Sequence, residues 1–81
     1  MTVEELMTEI REEQEIIDDD VDEMTCIRYD MNILNELNIT YEEKYERRNQ
    51  MIMRYELLMC DIAQAEERIR KLKDAIYNYD F

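Results

Sequence analysis

The chain has 81 residues, 22 Asp plus Glu against 10 Lys plus Arg, a formal net charge of -12, and no Gly, Pro, His or Trp. Without His the commonest general base and metal ligand is missing, and without Gly no P-loop or dinucleotide fingerprint can form, because both bring backbone to phosphate with no Cβ in the way. These absences point away from an enzyme, a metal site or a cofactor, while 46% hydrophobic residues beside 40% charged is the composition of a chain that folds.

The first predicted element starts at a capping box, Thr2-Val3-Glu4-Glu5, in which the Thr hydroxyl accepts from the N3 amide and the Glu reaches back. From there a helix is expected over about residues 2–37. One row at seven-residue spacing reads Val3, Ile10, Ile17, Met24, Met31, and its companion reads Leu6, Glu13, Asp20, Ile27, Leu34, with Met7 and Val21 alongside. The phase survives the acid run Asp18-Asp19-Asp20, as a continuous helix requires, since a loop would reset it. A cap at Asp20-Val21-Asp22-Glu23 would instead divide this segment and give three helices.

With Gly and Pro absent, Asn, Asp and Thr are left to punctuate the backbone, and Asn38-Ile39-Thr40 is the predicted turn, because Asn tolerates the left-handed conformation that ends helices. The same triplet matches a glycosylation sequon, read as chance in a chain with no secretory signal. A second capping box, Thr40-Tyr41-Glu42-Glu43, opens a helix expected over about 41–79. Its rows are Tyr55, Ile62, Ile69, Ile76 and Met51, Leu58, Ala65, Leu72, Tyr79, and Ile52 and Met59 widen the stripe beyond a two-row seam.

Two helices of similar length, each roughly 55–60 Å at 1.5 Å per residue, joined by a short turn, make an all-α antiparallel helical hairpin, a single domain over 1–81. One row runs on through the turn, Leu34, Tyr41, Arg48, Tyr55, so a single rod of roughly 115 Å stays open. Folding about Asn38 would set Glu4, Glu5 and Glu9 beside Arg68, Arg70, Lys71 and Lys73, and Arg11 beside Glu66 and Glu67. A chain this small buries a thin core and usually needs a disulfide, a metal or a partner chain. The expectation is therefore a homodimer, a four-helix bundle or coiled coil, formed through Ile52, Tyr55, Leu58, Met59, Ile62, Ile69, Leu72 and Ile76.

Among candidate sites, Asp18 to Glu23 lacks the central Gly and twelfth-position Glu of an EF-hand loop and reads as a solvated acidic face. Cys26 and Cys60 are expected as reduced thiols, too far apart along the hairpin for a bridge within the chain, with an intermolecular disulfide as the alternative. Tyr29, Tyr41, Tyr45, Tyr55, Tyr77, Tyr79 and Phe81 would either close the ends of a bundle or form a recognition patch, and seven Met supply adaptable apolar surface.

The strongest functional signal is charge. Residues 1–23 hold eleven acids and one base, hence -10, and the remainder 11 acids against 9 bases, hence -2. Eleven carboxylates over roughly 29 Å of helix approach one charge per 2.6 Å, against about 1.7 Å in duplex DNA. The candidate partner-binding face is Glu4, Glu5, Glu9, Glu12, Glu15, Asp18, Asp19, Asp22 and Glu23. It disfavours direct nucleic-acid binding and favours a basic, nucleic-acid-handling protein, which the chain would inhibit or regulate by charge mimicry. Small acidic inhibitors carried by phages are similar in general composition, an analogy of class only. A cytoplasmic location, bacterial or in the host of a phage or mobile element, is expected, with no membrane span and no small-molecule ligand. The alternative is a structural coiled-coil adaptor acting by self-assembly, its acids serving solubility alone.

Overall fold

The computed structural model describes residues 1–79 as an antiparallel hairpin of two long helices. Helix α1 runs Val3–Ile33, a 3-10 turn covers Leu34–Glu36, and helix α2 runs Tyr41–Tyr77. The expected threonine N-caps open both helices. Thr2 Oγ1 accepts from the Glu5 amide and Thr40 Oγ1 from the Glu43 amide, each at 3.2 Å. Glu5 closes its box differently from the expectation, accepting from the Thr2 hydroxyl at 3.3 Å. Each cap satisfies an amide that the first helical turn leaves without a carbonyl.

The backbone spans 62 × 14 × 14 Å with a radius of gyration of 18.4 Å, where a globular chain of this length would have about 12 Å. That length is half of what an unbroken rod needs, and α1 is continuous through Asp18-Asp19-Asp20, so the rod and three-helix alternatives both fall away.

The reversal differs in detail. Helix α1 was expected to reach about residue 37, but its α-helical part stops at Ile33, and Leu34 keeps right-handed angles (φ -56°, ψ -39°) while the chain tightens into the 3-10 turn. Leu34, fully buried, plugs this end of the interface, and the Leu37 amide donates to its carbonyl at 3.3 Å. Leu37 and Thr40, on either side of Asn38 and Ile39, are both extended. Lys44 Nζ donates to the Asn35 carbonyl at 3.0 Å and Arg48 Nη2 to Asn35 Oδ1 at 3.1 Å, stitching α2 to the end of α1. Basic side chains from the following helix thus supply the partners that α1, with no base in its last turn, lacks.

Between the helices the two heptad rows of each segment meet. Leu6, Ile17, Met24 and Leu34 from the first segment and Leu58, Ala65 and Ile69 from α2 are buried, with Ile10 and Ile62 packed beside Ile17, Ala65 and Ile69. Ala65, a small side chain, is fully buried in this layer beside Ile17 and Ile69. The row of Leu6 and Leu34 turns Glu13 and Asp20 inward. Glu13 is held through Oε1 by Arg68 Nε at 2.9 Å, whereas Glu13 Oε2 and Asp20 Oδ2 are buried without a hydrogen-bond partner.

Register follows from those cross-links. Arg68 reaches Glu13 rather than Glu4, Glu5 or Glu9, and Arg70 turns outward to Glu67 and Asp74 on its own helix. Lys71 does lie near Glu9, the two sharing a shallow surface recess with Arg68 and Leu72. Together with the Arg54–Glu23 and Arg28–Tyr55 contacts, the Arg68–Glu13 bridge places the pivot nearer Thr40 than Asn38.

Candidate functional site

Charge divides by helix. Over Val3–Ile33, α1 carries twelve acids and two bases, Arg11 and Arg28, hence -10. Over Tyr41–Tyr77, α2 carries eight of each, hence zero. The hairpin is thus a rod with one strongly negative side and one neutral side.

The nine residues expected on the acidic face do not all share one environment. Glu4, Glu5, Glu12, Glu15, Asp18, Asp19 and Asp22 are exposed, at heptad positions that turn away from α2. Glu9 is half-buried at the edge of the interface near Lys71. Glu23 is half-buried and engaged, because Arg54 grips it with two parallel hydrogen bonds, Nε to Oε1 at 2.9 Å and Nη2 to Oε2 at 3.0 Å. Those hydrogen bonds, more than the bare charge of Arg54, hold the Glu23 carboxyl below the usual carboxylate range, and they push the Arg54 guanidinium up. With Glu13 and Asp20 in the seam, the free ridge is seven carboxylates and Arg11 over roughly 27 Å, about one net negative charge per 4–5 Å. The ridge is less dense than the count of acids implied.

Bases of α2 are largely committed within the chain. Arg54 and Arg68 cross to α1, Arg70 is shared by Glu67 (2.6 Å) and Asp74 (3.0 Å), and Lys44 and Arg48 are tied to Asn35. The hydrogen bond from Arg70 lowers the Glu67 carboxyl pKa and raises that of Arg70 in turn. None of these cations neutralises the outward ridge of α1.

No family model, curated protein or solved structure matches the chain. Its chemistry must therefore be read from its own surfaces. Among the described residues no three His, Cys, Asp or Glu side chains converge as a metal site would require, and no helix is long and apolar enough to cross a membrane.

The residues expected to carry self-association separate into two groups. Leu58 and Ile69 are buried in the hairpin's own seam, and Tyr55, Ile62, Leu72 and Ile76 are half-buried along it. Ile52 and Met59 are exposed, flanking a recess of roughly 360 Å³ that is also lined by Arg28, Met31, Tyr55 and Glu56. In that recess Arg28 Nε donates to Tyr55 Oη at 3.1 Å, with the guanidinium carbon 5.8 Å from the ring centroid, a stacked and hydrogen-bonded pair.

The heptad rows passed over Met53 and Leu57, which are exposed on the far side of α2 and, with Glu56 and Cys60, line a second shallow recess. A signal for them exists in the sequence, since between Tyr55 and Ala65 only Glu56 and Asp61 are charged. Cys26 and Cys60 are exposed free thiols. Tyr29, Tyr41, Tyr45, Tyr77 and Tyr79 are exposed and do not close the ends of the hairpin, while Phe81 lies outside the described residues.

Proposed function

We propose that this chain is a non-enzymatic interaction module that presents the outward ridge of α1 to a basic protein surface, inhibiting or regulating a nucleic-acid-handling partner. The observation that carries the reading is the segregation of charge: -10 on α1 and zero on α2, with eight of the twelve acids of α1 exposed and five of the eight bases of α2 engaged within the chain. Such a one-sided field steers a cationic partner to one face and repels nucleic acid itself. A rigid helix supports the ridge, so little ordering is needed when a partner docks.

The spacing of about one net charge per 4–5 Å is looser than duplex DNA, which carries one per about 1.7 Å. Affinity through the ridge should therefore depend on matching individual Lys and Arg positions rather than on charge density alone. The test is reversal of Glu12, Glu15, Asp18, Asp19 and Asp22 to Lys. All five are exposed and outside the seam, so the hairpin should persist. Proteins captured by the parent chain from its native cells at low salt should be lost by this variant; retention of the same partner with the same salt dependence refutes the reading.

A second reading, self-assembly, is favoured by the apolar outward surface of α2 around Met53 and Leu57. The two readings use opposite sides of the rod and are compatible.

A further inference from the structure

We infer that two copies of the chain pair into a four-helix bundle through the flank of the hairpin that carries Val21, Ile52 and Met59, about a two-fold axis along the hairpin that sets α1 of each copy on α2 of the other. The seam has two unlike flanks. On one, Arg54 clasps Glu23 and Arg68 holds Glu13. The other is marked by the Arg28–Tyr55 hydrogen bond and by the recess that Arg28 and Met31 share with Ile52, Glu56 and Met59. Seven-residue spacing puts Met7, Gln14 and Val21 of α1 on the same side as Arg28. Val21, Ile52 and Met59 form the middle of this flank, 45%, 38% and 52% exposed. Apolar residues in two seam rows and one adjoining row are the pattern of a helix that faces a bundle core, and the hairpin alone leaves the third row open.

Charge selects a second copy as the occupant. Between Val3 and Ile33 this flank of α1 carries Glu4 and Asp18 against Arg11 and Arg28, and between Tyr45 and Ile76 that of α2 carries Glu56 and Glu66 against Arg70 and Lys73. The flank is thus neutral on each helix, although α1 as a whole carries -10. Among the described residues, Glu4, Arg11, Arg28, Glu56, Glu66 and Lys73 make no ion pair within the chain, in contrast to the bridged charges of the other flank. The two bridges there fix which residues of α1 and α2 lie at one level, and a two-fold axis along the hairpin preserves those levels. Glu4 then lies beside Lys73 of the second copy, Arg11 beside Glu66, and Arg28 beside Glu56. Helical side chains lean toward their own N-terminus, which in antiparallel helices brings the Arg28 and Glu56 heads together. Each meeting is made twice, as a closed two-fold interface requires.

Asp18 comes level with Ala63 and meets no charge. Arg70, the one base level with Arg11, is already held on its own helix by Glu67 and Asp74. Setting α1 on α1 instead would bring -10 against -10. A face of 62 by 14 Å is about 870 Å² per copy, close to the 800 Å² or so that each side of a stable interface buries. Glu5, Glu12, Glu15, Asp19 and Asp22 stay in solvent, so the pairing does not depend on what the ridge of α1 binds.

The test is the mass of the full chain in solution by light scattering, with charge complementation to read the arrangement. Twice the chain mass of 10.1 kDa is expected. A Val21→Lys, Met59→Lys variant should fall to the single-chain mass with unchanged helical circular dichroism, since both side chains are exposed beside the seam. Arg28→Glu and Glu56→Arg should each dissociate the dimer when made alone, because every pair then sets like charge on like. An equimolar mixture of these two chains should recover the dimer mass, since in the mixed pair each altered position meets its opposite. A parent chain that is monomeric at the highest soluble concentration overturns the proposal, as does a dimer that survives both lysines. A mixture that holds no more dimer than the separate chains overturns the setting of α1 on α2.

Discussion

Asp20→Leu should make the hairpin more stable. Asp20 occupies the inward row of Leu6, Glu13, Ile27 and Leu34, one helical turn from Ile17 and Met24, both buried, and its Oδ2 is out of water with no hydrogen-bond partner. Leaving such an atom unpaired costs about 1–3 kcal/mol, a penalty the substitution removes. Half-burying a leucine in its place adds about 1 kcal/mol, half of the usual gain for full burial. Because Asp20 is only half-buried, we take the lower part of the first range and expect about 2 kcal/mol in all. For a chain of this size that is a rise of about 10 °C in Tm, read by thermal denaturation followed by circular dichroism. Asp19→Leu is the control, one residue away but exposed, with an expected change within about 0.5 kcal/mol. Both substitutions remove one negative charge from α1, so the difference between them isolates the seam. Equal effects from the two, or destabilisation by Asp20→Leu, would refute the placement of Asp20 between the helices.

Glu23→Gln breaks the two-bonded clasp from Arg54, whose pH dependence has a definite sign. The folded-state pKa of Glu23 lies below its ordinary value, so the clasp's stabilisation is present above the ordinary carboxylate range and is lost as pH falls through the lowered value. Arg54, raised by the same clasp, stays charged throughout that window. The urea midpoints of Glu23→Gln and its parent should thus differ at neutral pH and converge in strong acid; a gap that widens on acidification contradicts the pairing. Thr40→Ala, which leaves the Glu43 amide uncapped, should lower stability by about 1 kcal/mol in the same urea experiment. Raising salt from low to physiological concentration should raise Tm, because a Debye length near 8 Å screens the self-repulsion of α1 more than it weakens two interhelical ion pairs. A Tm that falls with salt would mean that the ion pairs outweigh the repulsion.

The seam was legible because heptad spacing is a local property of helix geometry. Rows counted from Val3 and Leu6 faced inward residue by residue, even where they passed through Glu13 and Asp20. The end of α1 was not legible in the same way. Neither Gly nor Pro marks it, and what stops the helix is tertiary: burial of Leu34 and the reach of Lys44 and Arg48 back to Asn35. The acidic face was legible as composition and overcounted as geometry, since a sum over residues 1–23 cannot tell the exposed Asp19 from the inward Asp20 or the clasped Glu23. Met53 and Leu57 escaped for a related reason. Neither falls in a heptad row, so a reading by rows leaves them out, and the packing of Leu58 against α1 leaves both exposed.

The central claim is that α1 binds through its outward carboxylates, and one measurement tests it most directly: affinity for the captured partner as a function of salt, for the parent and for two charge-altered chains. The parent and a chain with Glu42, Glu43 and Glu46 changed to Gln should both lose affinity steeply as salt rises. The chain with Glu12, Glu15, Asp18, Asp19 and Asp22 reversed to Lys should bind weakly at every salt concentration. If the α1 reversal leaves the affinity and its salt slope where the parent has them, the ridge is a solubilising surface and the account is wrong.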